Sequence, residues 1–83
     1  MPSAAVEIGD QVFLQEDGEA FGAVRDVHSH DLVVYVEGSG DFLVPAVAVT
    51  AVHDGKIVVD PTQLAAPMVA AIELAHQREE PGL

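Results

Sequence analysis

The sequence contains no cysteine and no tryptophan, and only 3 of its 83 residues are lysine or arginine. Without thiols, neither a disulfide nor a thiolate metal site can brace the chain. Against those few cations stand 14 aspartates and glutamates, for a formal charge of -11. Binding nucleic acid requires clustered cations that displace counterions from phosphate, so nucleic acid is not an expected partner. The same charge opposes the anionic inner face of a membrane. Nor is there an apolar run near the roughly 20 residues that span a bilayer. The densest stretch, Val69 to Ala75, is interrupted by Glu73. Met1 to Glu7 lack the basic start and apolar run of a secretory signal. These absences predict no membrane insertion and a cytoplasmic location.

What is present is the composition of a folded domain, with 49% hydrophobic and 20% charged residues. A chain this short forms one domain, expected over residues 1–83, with a thin stability margin. The first three-quarters reads as short strands. Gln11 to Gln15 is the first, ended by the turn chemistry of Glu16-Asp17-Gly18. Glu19 to His28 is the second, and the three-residue step from Val24 to Val27 breaks the two-residue period. That break predicts a β-bulge, and Gly22 within the strand predicts a bulge or a close backbone approach.

Leu32 to Val36 is the clearest strand, with apolar side chains on both faces and therefore cover expected on both. Phe42-Leu43-Val44 stops at Pro45, and Ala46-Val47-Ala48 can form a single helical turn. Val49 to His53 and Lys56 to Asp60 flank Asp54-Gly55, a strong hairpin signal. From Asp60 onward helix formers dominate, with Asp60 or Thr62 as cap. Because Pro67 is tolerated only in a first turn, the main helix is expected from about 67 to 78.

In that helix Ala65, Met68, Ile72 and Ala75 form one apolar seam, while Val69, Ala71 and Leu74 lie outside it. Either the helix simply closes one end of the β-structure, or one face does so while another meets a second copy. The second option makes a homodimer the expected assembly, with Met68, Val69, Ile72 and Leu74 as its interface. An unidentified protein partner is the other possibility.

The order of these pieces resembles the PRC-barrel family. The matching residues are Ile8-Gly9-Asp10-Gln11-Val12, Asp17-Gly18-Glu19, Phe21-Gly22-Ala23-Val24-Arg25-Asp26-Val27, Phe42-Leu43-Val44-Pro45 with Ala48-Val49, and Gly55-Lys56-Ile57-Val58-Val59-Asp60. The likeness covers about residues 6–60, with the helical segment at about 61–80 as an addition. It departs from the family in the short His28-Ser29-His30 loop and in lacking an aromatic after the proline. The resemblance implies a six-stranded β-barrel, and with the helical segment read from the residues the expected fold is a small antiparallel six-stranded β-barrel with a C-terminal α-helix. The resemblance also implies a non-catalytic docking or assembly module, with no enzyme activity and no cofactor.

Chemistry-bearing residues are sparse. Asp26, His28 and His30, two apart in an extended segment, could turn a carboxylate and two imidazoles toward one divalent ion. Asp31 and His53 could join them if the fold brought them near. The competing reading is a solvated polar turn, and no physiological metal is expected. Metal or small-ligand binding at His28 and His30 stands as the alternative to a docking function. Asp26 is expected to accept backbone N–H bonds at the bulge. Ser3, Ser29 and Ser39 sit in no nucleophile elbow. A barrel this small is also expected to fill its interior with side chains, leaving little room for a cleft.

The uncompensated charge has a direct consequence for stability. Moderate salt is expected to raise the melting temperature by screening self-repulsion. A melting temperature flat across added NaCl would contradict that expectation.

Overall fold

A computed structural model describes residues 6–79. Six strands run in the order β1 (Gln11–Phe13), β2 (Gly22–Val27), β3 (Asp31–Val36), β4 (Gly40–Pro45), β5 (Val49–His53) and β6 (Lys56–Val59). A single helix, α1 (Ala66–Glu79), follows. Short 3-10 turns occupy Ala46–Ala48 and Pro61–Gln63. The strands form one curled sheet, a half-barrel, in the spatial order β4-β3-β2-β1-β6-β5.

Two features differ from a closed antiparallel barrel. β1 pairs with β6 in parallel, so the sheet is mixed. β4 and β5 are the two ends of the order and do not pair with each other among the described residues. The cause of the first lies in the β4–β5 link. A reversal at every connection would leave β6 antiparallel to β1. Pro45 cannot donate to a ladder and leads instead into the 3-10 turn, so this link is not a hairpin and one reversal is lost.

The bulge, the close approach and the hairpin hold, while β1 stops at Phe13 instead of Gln15, β2 starts at Gly22 instead of Glu19, and β4 starts at Gly40 instead of Phe42. β2 and β3 shift register between Val24 and Asp26, which places Arg25 in a bulge. The shift returns Val27 to the side of its partner Leu32, whereas strict alternation from Val24 would turn it away. Gly22 lies against β3 so closely that a Cβ there would overlap the Tyr35 carbonyl oxygen. At the β5–β6 hairpin, Asp54 and Gly55 both take positive φ, 54° and 74°, as a type I′ turn requires. Asp60 caps the second 3-10 turn, accepting from the Thr62 hydroxyl at 2.8 Å and the Thr62 N–H at 2.9 Å. These bonds, the hydroxyl first, hold its carboxyl below the usual aspartate value. Their support is present above the unfolded value and lost as pH falls through the folded one.

The core is a single cluster. Val12, Phe21, Val24, Leu32, Val34, Val36, Val44, Ile57 and Val59 project from the sheet, joined by Ala48. Met68, Ala71, Ile72 and Ala75 of α1 belong to the same cluster. Alternation on β3 sends Leu32, Val34 and Val36 inward and leaves Val33 and Tyr35 half-covered on the other face. Arg25 covers Tyr35, its guanidinium 4.9 Å from the ring centre, while it pairs with Asp41 at 3.4 Å.

Gly22→Ala forces the two backbones apart. Overpacking of this kind is expected to cost on the order of 3 kcal/mol, lowering the melting temperature by roughly 15 °C. Thermal unfolding followed by circular dichroism measures this, and an unchanged melting temperature would mean that β2 and β3 are not so closely apposed.

Candidate functional site

The helical residues expected at an interface are divided by the fold. Met68 is 0% exposed and Ile72 is 1% exposed within the chain itself. They fill the inner side of the sheet, which corrects their placement on an association surface. Val69 is half-buried, and Leu74, 46% exposed, faces outward. The seam of threes and fours was the correct signal for burial. A seam does not say whether the surface covering it belongs to the same chain or to another.

The titratable cluster forms at the β2–β3 turn. The His28 N–H donates to the Asp31 carbonyl at 2.8 Å and closes the turn. This brings His28 Nδ1 to 2.7 Å from Asp31 Oδ1 and His28 Nε2 to 3.4 Å from Asp26 Oδ2. Both ring nitrogens face carboxylates, an arrangement suited to the doubly protonated ring. Asp31's hydrogen bond, opposed by partial desolvation and reinforced by Asp26, raises the His28 pKa. Asp26 Oδ1 also accepts from the Val27 N–H at 2.9 Å, the backbone role expected of it beside the bulge.

The three metal candidates do not converge. His30 turns its Nδ1 toward Ser29 Oγ at 3.4 Å. His53 lies with Glu16, Nε2 to Oε1 at 3.1 Å, in a separate cluster where Lys56 Nζ donates to the Glu16 carbonyl at 2.6 Å. Among the described residues no group of three or more histidines, aspartates and glutamates is arranged to hold a metal ion. The Ser29–His30 contact joins adjacent residues on an exposed turn, with no carboxylate orienting the imidazole among the described residues. It lacks the third group that aligns a base toward a nucleophile.

Next to the His28 cluster the half-barrel opens into a groove of about 500 Å³. Val6, Val27, Leu32, Ala46, Val49 and Val52 wall it, and His28, Ser29 and Asp31 form its polar side. The expectation of a filled interior without a cleft is thereby corrected. The core is indeed filled, but the sheet does not close, and its end remains concave. The Ala46 N–H, donating to the His30 carbonyl at 2.9 Å, ties the 3-10 turn to the β2–β3 turn across this end. The wall valines carried no separate signal in the sequence for a groove, because apolar side chains do not show from spacing alone which of them lie at an open end.

Comparison with known protein-family models, curated proteins and solved structures finds no match. Among the described residues no helix is long and apolar enough to cross a membrane.

Followed by NMR, His28 is expected to titrate above the ordinary imidazole value of about 6.5. Asp31→Asn should lower that midpoint more than Asp26→Asn does. Because the folded-state pKa is raised, the cluster supports the fold below the unfolded value and loses that support as pH rises through the folded one. A midpoint at or below the ordinary value would show that the bridge does not form in solution.

Proposed function

We propose that this chain is a non-catalytic docking module that receives another protein in the groove at the end of its half-barrel. One observation carries the reading: an apolar concavity of about 500 Å³, walled largely by valines, stands open beside a polar turn. Water against such a surface is released when a partner covers it. Val27, 40% exposed, lies in the wall, so the apolar surface reaches solvent. A pocket for chemistry would instead gather a nucleophile, a base and an orienting group. The PRC-barrel likeness read from the sequence points to the same kind of role.

Self-association is a second reading, supported by the outward face of α1. Leu74 is a large apolar side chain exposed there beside half-buried Val69. With Met68 and Ile72 inside the fold, a homodimer would rest on this narrower strip.

Two measurements test these readings. Quantitative capture from lysate with the wild type and with Val27→Lys should show proteins retained by the first and lost by the second. Identical retained sets would remove the groove from the function. Light scattering over a concentration series should show a reversible dimer that strengthens with salt and disappears in Leu74→Asp. A strict monomer ends the self-association reading and leaves groove docking standing.

A further inference from the structure

The groove has a chemical bias that narrows what can occupy it. Its walls are aliphatic, and its polar side holds the Asp31 carboxylate with the His28 ring, backed by Asp26. No lysine or arginine lines it among the described residues. The two such residues whose side chains are described are engaged elsewhere. Arg25 pairs with Asp41 over Tyr35, and Lys56 pairs with Glu16 over Phe13. Among the described residues the only cation beside this carboxylate pair is His28 itself. Asp31 meets His28 through Oδ1, leaving Oδ2 for an incoming donor.

The charge of the whole chain acts in the same direction. A surface with net charge -11 attracts cationic partners and repels a second copy of itself. One wall also belongs to β5, an end strand of the sheet, contributing Val49 and Val52. An end strand offers backbone groups to an extended chain laid alongside it.

Building on the docking reading above, we propose that the groove receives an extended segment of another protein in which lysine or arginine flanks apolar side chains. The apolar side chains enter between Val27, Val49 and Val52, and the cation meets Asp31, with the Asp26 carboxylate on the far side of His28 adding to the attraction. A second copy of this chain is a poor occupant, because its own carboxylates would be brought against these.

The test is selection of a random heptapeptide display library on the intact protein, with Val27→Lys as the groove-blocked counterpart. Circular dichroism verifies that each variant is folded. Peptides retained by the wild type and lost on Val27→Lys are expected to be enriched in lysine or arginine beside valine, leucine or isoleucine. For a synthesised binder, Asp31→Asn is expected to weaken affinity roughly threefold to fivefold, the size of one exposed charge pair. Added salt is expected to weaken it further. Groove-dependent peptides that are neutral or acidic, or an affinity indifferent to Asp31→Asn and to salt, would overturn the cationic assignment while leaving docking intact. No groove-dependent peptide at all would overturn both. Asp26→Asn provides a second charge variant should Asp31→Asn fail to fold.

Discussion

A curled sheet of six short strands has an inner face that it cannot cover alone. Among the described residues the only helix of more than one turn available to cover it is α1. Met68 and Ile72 enter the concavity and become as inaccessible as Val34 and Val36 of the central strand β3. The sheet and helix therefore share one core, and neither has a separate apolar interior. Burial of each such side chain contributes roughly 1.5–3 kcal/mol, a large share of what a small domain has in total. The remaining surface features follow from this arrangement, because it uses up the helical seam and leaves the end of the half-barrel open.

The mixed pairing of the sheet has a reason that lies in one connection. Four strand pairs are antiparallel and one is parallel. Pro45 and the following 3-10 turn carry the chain between the two end strands without a hairpin. The Arg25 bulge acts locally on the same end. It returns Val27 to the side of Leu32, and both then wall the groove. A valine one residue out of register with strict alternation thus becomes part of a concave surface instead of the solvated face.

Charge shapes the surface as strongly as packing shapes the interior. No polar or charged residue is fully buried among the described residues, so the acidic side chains spread over the exterior. Of the few cations, Arg25 and Lys56 are each held by a carboxylate and an aromatic ring. His28 acquires its character from this scarcity. Two aspartates approach it from neighbouring strands, and the turn that holds it also borders the apolar groove. The proposed docking function joins these two consequences of a small acidic fold, an open apolar end and a carboxylate pair beside it.

Much of this architecture was legible in the residues themselves. The Val24–Val27 step announced the bulge, Asp54-Gly55 the hairpin, Gly22 either a bulge or a close backbone approach, and Pro67 the start of the helix, because each rests on local backbone sterics. The Met68–Ile72 seam announced burial for the same reason of periodicity. Other features had no local signature. Parallel pairing of β1 with β6, the open ends at β4 and β5, and the separation of His53 from His28 all depend on how distant segments meet. The sequence by itself determined the elements, the apolar faces and the acidic surface, since these follow from side-chain chemistry and spacing. Only the tertiary structure decided which apolar face is consumed by its own chain and which stays open, because that depends on the three-dimensional path between elements.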